Sequence, residues 1–272
     1  MDRQLFLPLY DCSEYIERYK NRGIFCTRFS KDFQSKCFLY SASESNSITY
    51  DRASELNKSI DLCYVYDMFH FENMEFTVEG FSEINKDIQS IINCGFKYIM
   101  VSNPFIIEIL CNEYSDKINV VISSQLEINS SQSKIFFDVL NNTESISHIV
   151  ISQNYICEED FNSILQVFSD KKIVVEVDRL YSKNQIIHEH YYNMLYGYYN
   201  QNVECNISKF IEESRKYIEK TKKSMLESKI IQYKIGEINV DRKCVEYNIE
   251  KLNQELYDDI IICDYSMWTE RV

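Results

Sequence analysis

The fold turns on residues 60–110, IDLCYVYDMFHFENMEFTVEGFSEINKDIQSIINCGFKYIMVSNPFIIEIL. Within it, LCYVYDM (62–68) and KYIMVS (97–102) are β-branched and aromatic runs of the buried-strand type. Between them, SEINKDIQSIINCG (82–95) sets Ile84, Ile88, Ile91 and Ile92 at helical spacing, and Gly95 stands where a C-cap glycine belongs. A strand, a helix and a strand in that order predict a parallel βαβ unit.

Similar runs extend the pattern in both directions: LFLPLY (5–10), IFCTRFS (24–30), NVVISS (119–124), HIVISQ (148–153) and IVVEVD (173–178). From residue 62 onward the strand starts fall roughly every 20 to 35 residues, a rhythm that suits a barrel and a doubly wound sheet equally. The five glycines, at 23, 80, 95, 197 and 236, cannot build GxGxxG or GxxxxGK, which excludes glycine-loop mononucleotide binding. After residue 200 the pattern changes to a long amphipathic helix (208–228) and two strand-like runs, IIQYKIG (230–236) and DIIICD (259–264). Either run can serve as an eighth barrel strand, and Trp268 in the tail is expected to pack on the body.

The chain has 272 residues, 45% hydrophobic, enough to fill one barrel-sized core. Its formal net charge of −13 opposes binding to duplex nucleic acid and to anionic membrane. The basic stretch from Arg215 to Lys223 is interrupted by glutamate and reads as a solvated helix face. No apolar run reaches the ~20 residues needed to span a bilayer, and MDRQLFLPLY carries charge where a signal peptide has its apolar core. A cytoplasmic protein is the expectation. The ten cysteines are scattered singly, without a CxxC, and read as buried reduced thiols in a reducing compartment.

The run 60–110 resembles the collagenase-like peptidases of the U32 family. The likeness lies in an apolar strand followed by an Asn-x-Glu-Phe-Thr turn (Asn73, Glu75, Phe76, Thr77), then Gly80, a helix, the strand from Gly95 to Val101 and the helix from Pro104 to Leu110. It continues in VVISSQLEINSSQSKIFFDVL (120–140), similar to the family's Ser-Thr-Gln strand end, and in HIVISQNYICEEDFNSI (148–164), covering roughly residues 5 to 200. The resemblance implies a TIM-like barrel, complete or partial, with functional residues at the C-terminal ends of the strands. Members are proteases or take part in oxygen-insertion chemistry on RNA bases and quinone precursors.

Two departures bear on function. Where the family has two cysteines after the strand at 173–178, which can ligate an iron–sulfur cluster, this chain has Arg179 to Asn184 with no cysteine, so a cluster is not expected. The stretch SKDFQSKCFLYS (30–41) keeps Asp32 but lacks the family's glycines and arginine, whereas His190, Tyr191 and Asn193 preserve something of its His-Tyr-Asn.

His188 and His190, at i and i+2, point about 200° apart on a helix and make a weak metal signal, so no metal site is assigned. Ser123 or Ser124 with His148 or His190 lacks the GxSxG elbow of a hydrolase, and Cys63 and Cys157 lack a motif marking either as a nucleophile. Polar strand ends remain, since a barrel gathers them at one mouth: Asp67, Asn103, Gln125, Asp178, Arg179 and His190 are the expected ligand-binding set. Arg179 would supply a cationic fork for a carboxylate or phosphate, with Asp178 holding it or acting as a base.

The expectation is a single α/β, TIM-like barrel, with a body over 1–205 and an extension over 206–272 that completes the barrel or packs on it. Two functions stay open. One is an enzyme acting on a small molecule, peptide or modified nucleoside, its cofactor unknown. The other is a non-catalytic accessory subunit that keeps the barrel to bind a ligand or a protein partner.

Overall fold

The computed structural model describes residues 5–9, 11, 13–29, 31–34, 47–68, 71, 73–126, 128, 131–140, 143–151, 158–177, 232–235, 238–241 and 260–264. The first half alternates strand and helix: β1 Leu5–Pro8, α1 Ser13–Tyr19, β2 Gly23–Phe29, the short β3 Ser47–Ile48, α2 Tyr50–Leu56 and β4 Asp61–Tyr66. A 3₁₀ turn, Met74–Phe76, then leads into α3 Val78–Asn93, β5 Tyr98–Val101, α4 Pro104–Glu113 and β6 Asn119–Ile122. There follow α5 Lys134–Asp138, β7 Ile146–Ile151, α6 Glu158–Val167, β8 Lys172–Val177, β9 Gln232–Ile235, β10 Ile238–Asp241 and β11 Ile260–Asp264.

β1, β2, β4, β5, β6, β7 and β8 pair in that order, each parallel to its neighbour. β11 pairs parallel with β8 on one side and with β1 on the other, so the sheet curls round on itself in a TIM-like arrangement. Of the two late runs, DIIICD is therefore the one that joins the parallel sheet. IIQYKIG supplies β9, which pairs antiparallel with β10 in a separate two-stranded sheet.

Local chemistry explains the segment on which the fold turned. Thr77 caps α3 by accepting the Gly80 N–H, and Gly80, Ile84, Ile88 and Ile91 form its buried face. Burying each isoleucine contributes about 1.5–3 kcal/mol. The helix stops at Gly95, whose φ of 82° is a left-handed value that glycine adopts cheaply. Its N–H then bonds the Ile92 carbonyl at 2.9 Å, and the Phe96 N–H bonds that of Ile91 at 3.3 Å. α4 starts as sharply, with Asn103 accepting from the N–H groups of Phe105 and Ile106 and Pro104 in the first turn.

Strand alternation divides the core into two. One cluster combines strand residues such as Phe25, Leu62, Tyr64, Ile99 and Val120 with helix residues Ile84, Ile88, Ile106 and Leu110, and so lies between sheet and helices. The other holds strand residues alone, Phe6, Ile24, Cys26, Cys63, Val65, Met100, Val121, Val150 and Val174. These fill the concave face of the curled sheet. Among the described residues, no helix is long and apolar enough to cross a membrane.

Candidate functional site

Continuing each inward-facing series past the apolar interior fixes what stands at the C-terminal strand ends. Ile24 and Cys26 lead to Arg28, Cys63 and Val65 to Asp67, Met100 to Ser102, and Val121 to Ser123. Arg28, Ser102 and Ser123 are buried, and Asp67 is half-buried. The Ser102 hydroxyl donates to the Asp67 carbonyl at 2.6 Å, which ties the ends of β4 and β5 together. Asp67 also helps to raise the pKa of the Cys63 thiol, after burial and Cys26, which places its charge over the same interior.

Of the expected binding set, Asp67 therefore belongs to the inward group. Asn103 faces the start of α4 instead: its Oδ1 accepts from Phe105 N at 3.0 Å and Ile106 N at 3.3 Å, and its Nδ2 donates to Glu75 Oε1 at 3.2 Å. Gln125 lies half-buried in the 3₁₀ turn Ser124–Leu126 after β6, its N–H on the Ser123 hydroxyl at 3.3 Å. Asp178, Arg179 and His190 lie outside the described residues, as do His188, Cys157, the helix expected over 208–228 and Trp268.

The hydrolase pairing of Ser123 or Ser124 with His148 does not form. His148 lies in the barrel interior nearer the N-terminal strand ends, beside Val121 in register, with ring contacts to Phe6 at 5.2 Å and Tyr98 at 5.5 Å. Its Nδ1 engages Ser147 at 2.7 Å, and its Nε2 has no hydrogen-bond partner. Burial, followed by the charge of Lys172, lowers its pKa to about 3. Cys63 is buried with its thiol pKa raised, the opposite of an activated nucleophile. Among the described residues no cluster of three or more His, Cys, Asp or Glu side chains could hold a metal ion.

The loop after β2 is held from outside the barrel. Tyr64 donates its hydroxyl to the buried Asp32 and accepts the Phe29 N–H at 3.0 Å. Asp87 of α3 accepts from the Tyr66 hydroxyl at 3.0 Å and the Phe33 N–H at 2.6 Å. These bonds anchor the backbone that presents Arg28.

Sequence reasoning passed over two groups at this end of the sheet. Arg28 was legible from the alternation Ile24, Cys26, Arg28, which puts a charge on the face whose other members are apolar. Glu75, in the 3₁₀ turn after β4, is 6% exposed and its Oε2 has no partner. Its partner at Oε1, Asn103, is 28 residues away in sequence.

The fold is similar to that of the U32 peptidase Mk0906, with a TM-score of 0.56 and 11% identity over 98% of this chain and 93% of that one. A mutant of the Thermobaculum terrenum O-GlcNAc hydrolase aligns more loosely, at a TM-score of 0.45 and 9% identity over 68% of this chain and 49% of that chain. No protein-family model matches the sequence, and neither does any curated protein. At 11% identity, the likeness to the U32 peptidase is one of fold alone.

Proposed function

We propose that the chain is a U32-like barrel protein, an enzyme acting on a small molecule, peptide or modified nucleoside at the C-terminal mouth of its strands. One observation carries the reading: Arg28, Asp67, Ser102 and Ser123 end four inward-facing series on the same side of an otherwise apolar interior. Polar groups gathered from several strands above a packed core are how barrels build sites. Arg28 carries a fork of the kind that binds carboxylate or phosphate, and Asp67 follows the neighbouring strand, β4. Gln125 borders the site after β6, and Asn103 acts on it through Glu75. Asp178, Arg179 and His190, which follow β8 in sequence, are assigned to the same site; the cofactor is unknown, and an iron–sulfur cluster is not expected. Residues 1–205 form the body, and 206–272 an extension whose β11 completes the barrel.

The accessory-subunit reading has a separate observation in its favour. Ile135 and Val139, one helical turn apart at α5, are 69% and 71% exposed and offer an apolar contact to another protein.

Mass spectrometry of the untreated protein tests the first reading. A bound metabolite at one per chain, lost in Asp67→Asn and in Arg28→Ala with folding intact, is the expected result. Full retention in both variants would move the site away from the mouth, and an empty wild type with no ligand from a metabolite library would favour the accessory reading.

A further inference from the structure

Glu75 is held more firmly than its visible contacts require. Asn73 adopts a left-handed φ of 63°, unusual for a residue other than glycine. Met74 N–H bonds the Phe71 carbonyl at 2.8 Å, Phe76 N–H that of Asn73 at 3.2 Å and Thr77 N–H that of Met74 at 2.9 Å. The Thr77 hydroxyl donates to the same Met74 carbonyl at 2.8 Å. Gly80 approaches so closely that a Cβ there would lie 2.0 Å from the Met74 oxygen. These bonds hold the turn in a conformation that buries the Glu75 side chain.

Asn103 fixes that carboxylate. Its Oδ1 is committed to two N–H groups of α4, so its Nδ2 must face Glu75, where it donates to Oε1. A carboxylate at a helix N-terminus stabilises the helix dipole, and one oxygen suffices for that. Oε2 is buried and has no partner within the protein, a costly state for a carboxylate oxygen that calls for a donor from outside the chain.

The surroundings indicate what kind of donor. Phe76 follows Glu75 directly, is 68% exposed, and packs its ring 5.1 Å from that of Phe105, the residue whose N–H Asn103 caps. Phe76 adjoins Glu75 in sequence and Phe105 follows its partner Asn103 by two residues, so the paired rings lie close along the chain to the buried carboxylate.

We propose that Glu75 binds the ammonium group of a ligand whose apolar body rests on Phe76 and Phe105. The charged donor forms a charge-assisted bond that a neutral hydroxyl cannot equal, and the chain's net charge of −13 favours approach of a cation. Because Oε2 is covered, entry needs a local shift of the turn, whose Phe76 is 68% exposed and which leads into Val78, the 82% exposed first residue of α3. The proposal rests on the strand-end reading in placing this contact beside β4 and β5.

The test titrates 2-phenylethylamine and 2-phenylethanol into the full chain by isothermal calorimetry. The amine is expected to bind at least about tenfold more tightly than the alcohol, the gap due to a charge-assisted bond. Glu75→Gln retains an oxygen for Asn103 and should erase that preference, while Phe76→Ala, a change at an exposed side chain, should weaken both probes. Equal binding of the two probes by the wild type, or unchanged amine binding in Phe76→Ala, would overturn the proposal, as would a preference surviving in folded Glu75→Gln. The two readings fail separately. A metabolite that depends on Asp67 in a protein showing no amine preference keeps the strand-end reading and removes this one.

Discussion

His148 Nδ1 lies 2.7 Å from the Ser147 hydroxyl, which itself donates to the Val120 carbonyl at 3.2 Å. That arrangement suits a neutral ring protonated at Nδ1, with Nε2 in the barrel interior and without a hydrogen-bond partner. Its folded pKa of about 3 lies below the ordinary value of 6.5, so the unfolded chain takes up a proton at acid pH that the folded chain refuses. The stability gained by keeping the ring neutral is complete above about pH 6.5 and is lost as pH falls towards 3.

At pH 4 this single residue should cost about 3 kcal/mol relative to pH 7, from about 1.4 kcal/mol per unit of pKa displacement. Urea unfolding of wild type and His148→Phe at both pH values checks it. The variant keeps an aromatic ring between Phe6 and Tyr98 and should lose less stability on acidification. Equal acid sensitivity in the two proteins would contradict the assignment.

Two glycines on either side of α3 should respond differently to alanine. At Gly95 the obstacle is the backbone, since the nearest heavy atom to an added Cβ is 3.6 Å away while φ is +82°, and the cost should be about 1 kcal/mol. At Gly80 the methyl would meet the Met74 carbonyl, so the turn itself must move, at a cost of about 2–3 kcal/mol. Chemical denaturation of both variants gives the order directly, and a Gly80→Ala protein as stable as Gly95→Ala would show that the turn yields.

Tyr64→Phe should destabilise by about 1–3 kcal/mol, the cost of leaving buried polar groups without a partner. The lost hydroxyl serves two groups at once, donating to Asp32 and accepting from the Phe29 N–H. Burial first, and then the Asp32 charge, raise its pKa well above the ordinary value, so it remains a donor throughout the neutral range. A denaturation midpoint unchanged by the substitution would mean that the loop after β2 is held by other contacts.

Cys26, Cys63, Cys94 and Cys111 are buried and form no disulfide. Burial raises the Cys111 thiol pKa, and burial together with Cys26 raises that of Cys63, which leaves little thiolate to react at neutral pH. Brief alkylation of the native protein, followed by peptide mapping, should find these four unlabelled, with all four labelled after denaturation in urea. Rapid native labelling of Cys63 would show the barrel interior open to solvent.

Strands whose buried faces are apolar were readable from the sequence. LCYVYDM, KYIMVS and NVVISS mark β4, β5 and β6, and Gly95 was identifiable as the stop of α3 from its place after the last isoleucine. Ser47–Ile48 was not readable, because two residues carry no periodicity. The pairing of β9 with β10 rather than with the parallel sheet was also hidden, since an apolar run does not state its partner. Strand-end logic picked out Asp67, which the alternation puts on an inward series, and the same logic applies to Arg28. The Asn103–Glu75 bond, the burial of Glu75 and the buried, neutral state of His148 come from contacts between segments, which local pattern does not encode.

A ligand site at the C-terminal strand ends, as proposed, can be sought by a crystallographic fragment screen on the full chain. Fragments are expected among Arg28, Asp67, Ser102 and Ser123, with anionic groups on Arg28. Fragments found only on the outer helices, with the strand ends closed by the protein's own side chains in every data set, would contradict it.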